Sequence, residues 1–517
     1  MATSREVPKA TLREWVGLAV LGLPCLLYSM DLTVLNLAVP ALSEDLRPSS
    51  SQLLWIIDIY GFVVAGALIT MGTLGDRIGR RRLLMIGAAA FGVGSVLAAF
   101  STSATLLIAT RALLGFAGAT LAPSTLSLVR NMFLDSRERT LAISVWITSY
   151  SVGGAIGPLV GGVLLQHFWW GSVFLIGVPV MVLLLILGPI LLPEFRDPDA
   201  GKLDIVSAAL SLAAVLPTIY TVKQVAEHGL RAGDAVFLLA GLVAGAAFVY
   251  RQLTVAEPLI DVRLFRAPAF SVSLAAYLLA TFAAFGAFVF ISQYLQFVFG
   301  LAPLEAGIWT TPWALTFVVG SLATPVIAQR VRPAVVMAAG LVVAAAGFAL
   351  FTQVEIGSGF GVLVIASVVV SLGLAPVFTL ATDLVIGSAP PERAGAAAAI
   401  SETSSEFGGA MGIAVLGSMG AAVYRARMTD VLPASVAPEL ADAARGTLAG
   451  AVAVAEQLPG ALGAEVLGAA RLAFAQSFDV TAVLTAAVAL STAALVAIVL
   501  RGDSPDPAFA TSTASCD

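Results

Sequence analysis

Six ionisable side chains stand inside long apolar runs of this 517-residue sequence: Asp31, Asp58, Asp383, Glu402 and Glu406, with Arg111 as the base among them. Burying such a group at the centre of a membrane helix costs about 2.5–3.5 kcal/mol on insertion scales, so each needs a reason to be there. Structural ion pairs are one reason, but five acids facing one base do not balance. Proton exchange is another: desolvation favours the protonated carboxyl, a nearby arginine favours the carboxylate, and a group moved between the two changes its occupancy. Asp31 is mid-span on a face with Tyr28 and Leu35 and is the first candidate for protonation, and Arg111 is expected to favour the ionised form of whichever carboxyl lies near it. Glu402 and Glu406 are one turn apart beside Gly409 and suit a cationic ligand or proton exchange. Asp58 marks the outer end of its run and Asp383 the inner end of its own; for each, a structural role and a substrate-binding role are equally open. Tyr150 and the i, i+4 pair Trp309 and Trp313 offer an aromatic wall for a cation, although tryptophan is also common at membrane interfaces.

The elements that must position these groups follow from composition. Hydrophobic residues make up 59% and charged residues 11%, against about 25% charged in a soluble domain. With a mean hydropathy of +0.97 the chain belongs in a lipid bilayer. Fourteen apolar runs, each near the roughly 20 residues needed to cross, are separated by short loops, which predicts an all-α polytopic bundle. Placing the amino terminus inside puts 19 basic residues on the cytoplasmic side and seven outside, as the positive-inside rule requires, so both termini are expected in the cytoplasm. Only Lys9, Lys202 and Lys223 are lysines, and the chain is rich in alanine, a usage that points to a bacterial cytoplasmic membrane. The expected divisions are a cytoplasmic start (1–14), a six-helix half (15–193), a linker with two helices (194–268), a second six-helix half (269–500) with an external loop at 425–476, and a disordered cytoplasmic tail (501–517). The net charge of -5 without a basic domain speaks against nucleic acid. Cys25 and Cys516 make no disulfide framework, and His167 and His228 lie at span ends. No phosphate-binding loop, metal set or catalytic motif occurs, so neither an enzyme nor an ATP-driven pump is expected, and no cofactor or metal.

An internal repeat lays Arg77 over Arg330 at an offset of 253 residues, brings Pro48 near Pro303 and lays the first span over the ninth. Duplicated halves around a midplane site are the usual construction of a secondary transporter. Between spans 2 and 3 runs Gly72-Thr-Leu-Gly-Asp-Arg-Ile-Gly-Arg-Arg-Arg82, where Gly72, Gly75 and Gly79 allow close approach and a tight turn and Asp76, Arg77 and Arg80 can pair or meet a helix terminus. On span 5, Gly153, Gly157 and Gly161 stand at i, i+4 and i+8 beside Gly154, Pro158 and Gly162, a face so bare that another helix can pack closely on it.

The loop resembles the signature between the second and third helices of the major facilitator superfamily. Met30-Asp-Leu-Thr-Val-Leu-Asn-Leu-Ala-Val-Pro40 resembles the first-helix motif of its fourteen-helix drug:proton antiporters, the group exporting quaternary ammonium compounds, dyes and fluoroquinolones. Arg111 to Gly118, Gly153 to Gly162 and Trp170 to Pro179 are similar to the motifs of the fourth, fifth and sixth helices. The second-half copy of the loop departs from the first, with Gln329 in place of Asp76. The resemblance implies two six-helix halves rocking about a central site, a glycine-rich helix that seals against proton leakage, and a monomer that exchanges protons for lipophilic cations. Two other functions stay open: export of an endogenous metabolite, lipid or antibiotic, and a sensor or channel of transporter ancestry.

Overall fold

In the computed structural model the described residues are 9–500, apart from 49, 197–203, 229–231, 256–257, 261, 302, 358–359, 391–392 and 434. The 501–517 tail, Cys516 and Lys202 lie outside them, as do the side chains of Pro158, Lys223, His228, Pro303 and Leu304. Among the described residues every regular element is a helix: α1 (Leu12–Leu46), α2 (Ser50–Ile78), α3 (Arg80–Ala99), α4 (Ala104–Met132), α5 (Ser136–His167), α6 (Ser172–Leu175), α7 (Gly177–Leu191), α8 (Ile205–His228), α9 (Ala232–Thr254), α10 (Pro268–Gln293), α11 (Pro303–Ala328), α12 (Pro333–Leu350), α13 (Gly361–Gly387), α14 (Ala394–Val431), α15 (Pro438–Gly446), α16 (Leu448–Gln457) and α17 (Gly460–Val499). Without water to satisfy them, backbone groups in hydrocarbon must bond within their own segment, which a helix achieves. Fourteen of these segments are long and apolar enough to cross a membrane, α6 with α7 forming one broken span and α10 continuing through a π-turn at Tyr294–Val298.

The two halves repeat one packing plan. In the first, α1 lies along α5 and α4 is packed by α2 and α3; in the second, α10 lies along α14 and α13 is packed by α11 and α12. Glycine sets both close pairs. A Cβ at Gly153 would run into the Leu26 carbonyl of α1, and one at Gly161 would come within 2.7 Å of Val34 Cγ1. On α14, added Cβ atoms at Gly408 and Gly412 would run into the carbonyls of Leu278 and Phe282 on α10. The repeat therefore extends to a second bare helix face at Gly408 and Gly412.

The hairpin α8–α9 sits outside this plan and leans on both halves, with α8 packed on α2 and α14. Phe62 and Ala65 of α2, Ile219 of α8 and Phe407 of α14 share one apolar cluster there. Asp204 ties its base. It accepts from the backbone N–H of Val206 and Ser207, capping α8, and from Arg251 of α9 at 2.8 and 3.0 Å. The arginine's hydrogen bonds, aided by Ser207, hold the Asp204 carboxyl well below the usual carboxylate range. Gln252 continues the knot, donating to Ser207 Oγ and accepting from Leu259 and Ile260 N–H.

The 425–476 segment is mostly helical. The helix of span 13 continues to Val431, because no proline intervenes before Pro433, and that of span 14 starts at Gly460, since the Ala-rich stretch before 477 is itself helix-forming. Between them α15 and α16 fold back, and Tyr424 Oη donates to the Ala444 carbonyl at 3.0 Å.

Candidate functional site

Arg111 of α4 is 1% exposed and reaches Asp31 of α1, Nη1 to Oδ2 at 2.6 Å. Its Nε donates to the Ile56 carbonyl, and its guanidinium lies 4.7 Å from the centre of the Tyr60 ring. A charge so buried stays tolerable only with a partner and further hydrogen bonds, and Asp31, Ile56 and Tyr60 provide them. A crevice of about 10 Å³ beside Asp31 and Ser95 is at the lower limit for one water.

From Tyr60 the site crosses to the other half. The Tyr60 ring is 5.9 Å from that of Tyr28, which in turn is 5.8 Å from Tyr150. Tyr28 Oη donates to Glu406 Oε1 of α14 at 2.6 Å. Trp146 packs against Tyr150 at 4.9 Å and donates to Thr125 Oγ1. One turn before Glu406, Glu402 is buried, and its Oε1 has no hydrogen-bond partner among the described residues. The Tyr60 hydroxyl is likewise buried and without a hydrogen-bond partner among the described residues, and the buried Tyr150 hydroxyl faces Cys25. Orphaned buried polar atoms are uncommon, and here acceptor and hydroxyls from both halves gather about one aromatic cluster, which suits a polar or cationic guest. Asp31, Arg111, Tyr150, Glu402 and Glu406 thus share one region.

The other candidates lie elsewhere. Asp58 is part-buried on α2, between Trp55 and Phe62, on the stretch that meets α8. Trp309 is 40% exposed and packs at a tilt against Phe360, 4.4 Å between ring centres, while Trp313 packs in the second half's core. Asp383 is held by Arg139 Nε at 2.8 Å and Thr140 Oγ1 at 2.6 Å, both from α5. Sequence reading did not single out Arg139, Thr140, Tyr60, Gly408 or Gly412. Only the glycines carried a signal, the repeat offset, which brings them near Gly153 and Gly157.

The Arg139 to Asp383 pair joins the halves on the face of the bundle that bears the α2–α3 loop, and a second contact there involves Asp76. Asp76, 6% exposed, accepts from the first N–H groups of α14, Gly395 at 3.1 Å and Ala396 at 3.0 Å. Arg80 pairs with the same carboxylate at 2.7 Å. A helix amino terminus favours an anion, and Asp76 supplies one across the boundary between halves. Gly72 lets α14 in, since a Cβ there would strike Ala399 and the Gly395 carbonyl. Gly79 has φ +108°, which only glycine adopts without strain, and starts α3 against Glu194, whose carboxylate accepts from Arg81 and Arg82 N–H. A Cβ added at Gly75 would come within 3.3 Å of Leu83 Cδ2, and Arg77 donates to the Thr73 carbonyl.

Two repeated six-helix halves, a polar site between them and one face latched shut by contacts across the divide define the architecture of a secondary transporter. The chain matches the Major Facilitator Superfamily over residues 25–413 and belongs to that family. It is a multi-pass membrane protein. It is 46% identical to the multidrug efflux pump LfrA of Mycolicibacterium smegmatis, covering 95% of this chain and 97% of that one. The methyl viologen resistance protein SmvA of Salmonella typhimurium is 34% identical over 90% of this chain and 94% of its own. For the tetracenomycin C resistance and export protein of Streptomyces glaucescens the figures are 32%, 96% and 93%. Among solved structures, the human organic anion transporter MFSD10 superposes with a TM-score of 0.62 at 16% identity, over 93% of this chain and 99% of that one, a likeness of fold.

Proposed function

We propose that this protein is a proton-coupled antiporter, acting as a monomer, that exports lipophilic cations across the bacterial cytoplasmic membrane, with both termini in the cytoplasm. The observation that carries the reading is the Tyr28 to Glu406 hydrogen bond beside the Asp31 to Arg111 pair, which gathers carboxylates from both halves around Tyr60 and Tyr150. The names of the LfrA and SmvA relatives, multidrug efflux and methyl viologen resistance, support a cationic drug.

With the latched face toward the cytoplasm, this conformation is closed on that side. Protons arriving from outside neutralise Asp31 and the α14 glutamates and weaken their hold on a cation, which leaves outward. After the halves rock, the protons depart inward and the bared carboxylates draw in another cation. The cycle turns because protons and drug bind the two states with different affinity. Asp58, Trp309, Trp313 and Asp383 belong to the periphery of this route, Asp383 through its latch and the others along its flanks.

The test is purified protein in liposomes with an imposed pH gradient, offered ethidium and, separately, methyl viologen. Uptake against the drug gradient, abolished by an uncoupler and accompanied by counterflow of protons, is the expected result. Uncoupler-insensitive downhill flux would indicate a channel, binding without flux would indicate a sensor, and either would overturn the reading. The likeness to the tetracenomycin C exporter favours one second reading, export of an endogenous antibiotic; protection restricted to one compound rather than to diverse cations would select it.

A further inference from the structure

A groove of about 530 Å³ runs along the outside of the second half between α12 and α17. Ala334, Ala338 and Val342 form one wall and Ala494 and Ala497 the other, and the charged residue of the lining is Arg332, at the end where α12 begins. The groove looks outward, with Val335, Val342 and Leu490 each half exposed. In a chain that spans the bilayer, that surface meets lipid.

Length and charge select the occupant. From Ala334 to Val342 the α12 wall rises about 12 Å, and from Leu490 to Leu500 the α17 wall rises about 15 Å. One leaflet contributes about 15 Å of hydrocarbon, so the groove is as long as a single acyl tail. At its polar end Arg332 and Arg330 are both exposed, and neither makes an ion pair among the described residues. No acid lines the groove, so a lipophilic cation would meet only repulsion there. A zwitterionic lipid would fill it but bring its own ammonium group beside the guanidinium, which weakens the match.

We propose that this groove is a binding site for an anionic phospholipid of the leaflet beside the α11–α12 loop, one tail lying between α12 and α17 and the phosphate held by Arg332. Basic pockets at helix ends are suited to such headgroups. The site stands apart from the central cavity and is independent of what the bundle transports.

Delipidated full-length protein in detergent would be offered dioleoyl phosphatidylglycerol or dioleoyl phosphatidylcholine, and bound lipid counted by native mass spectrometry. Wild type should retain phosphatidylglycerol about fivefold better, the effect of one basic residue at a membrane surface. Arg332→Gln should erase that preference, and Ala338→Phe should reduce retention of both lipids by filling the groove. Ala494→Leu, on the opposite wall, repeats the second arm if the bulkier variant does not fold. Inorganic phosphate alone should leave the melting temperature unchanged. Equal retention of the two lipids by wild type, undiminished phosphatidylglycerol on Arg332→Gln, or a lipid-free dimer that the groove substitutions dissociate would each overturn the proposal.

Discussion

The hydroxyl of Tyr28 on α1 donates to Glu406 on α14 at 2.6 Å, so the two halves share a hydrogen bond at the level of the buried ion pair. A neutral donor on a carboxylate contributes about 1.5–3 kcal/mol. We expect Tyr28→Phe to weaken the closed conformation by a part of that, about tenfold in population. Double electron–electron resonance between spin labels on α2 and α11 should then show a broader distance distribution than wild type, with unchanged membrane levels.

Glu402 and Glu406 offer two carboxylates one turn apart on α14. A divalent cation engages both, a monovalent one only one. Glu402→Gln and Glu406→Gln should each reduce methyl viologen efflux about tenfold more than ethidium efflux, the loss of one charge-assisted contact. Equal proportional losses would reject this selectivity and leave the exporter assignment standing.

Asp76→Asn removes the charge that faces the start of α14 and pairs with Arg80. Transport should fall at least about tenfold, since a partly buried charge at a helix terminus contributes up to about 2 kcal/mol. Arg80→Lys keeps the sign and should retain more activity. Normal efflux by Asp76→Asn at equal expression would remove the latch from the mechanism.

The glycine seams make a paired test of the repeat. Gly412→Ala pushes a methyl into the Phe282 carbonyl, whereas Gly417→Ala, on the same helix, meets nothing within 4 Å. We expect the first to destabilise by about 1–3 kcal/mol, as overpacking does, and the second to be neutral or slightly stabilising. Melting curves in detergent distinguish them.

The Asp204 to Arg251 tie predicts an acid response. Because the folded carboxyl lies below its ordinary value, its stabilisation is complete above the unfolded value of about 3.9 and is lost as pH falls through the folded one. Asp204→Asn keeps the cap and loses the charge, so it should melt below wild type by less than about 1 kcal/mol at neutral pH. That gap should close only below about pH 4. A gap that widens on acidification would contradict the assignment.

Hydropathy made the fourteen helices legible, because a bilayer leaves a backbone few choices, and the internal repeat made their two-half order legible. The Asp31 to Arg111 pair was legible in kind, since one buried base among five acids must choose a partner, but not which acid it would take. Arg139 was hidden because it lies at a helix start among other loop arginines, where nothing in the chain marks an acid 244 positions away as its partner. Tyr60, and the bond that Tyr28 makes across to α14, were hidden for a different reason: aromatics in apolar helices ordinarily pack, and only the crossing of α1, α2, α4 and α14 turns these into a lining. The long α17 shows the limit of reading boundaries from apolarity, because alanine continues a helix well beyond the hydrocarbon.

Between Gly395, which touches Asp76, and Glu406, which touches Tyr28, α14 reads Ala-Ala-Ala-Ala-Ile-Ser-Glu-Thr-Ser-Ser, without glycine or proline. That is about 16 Å of stiff rod with its fulcrum at the glycine crossing on α10. In the proposed cycle, a guest that displaces the tyrosine would tilt the rod, and a tilt at one end would draw the other from its carboxylate. The proposed site and the Asp76 contact would then be two points on one lever, so that a change at one would register at the other.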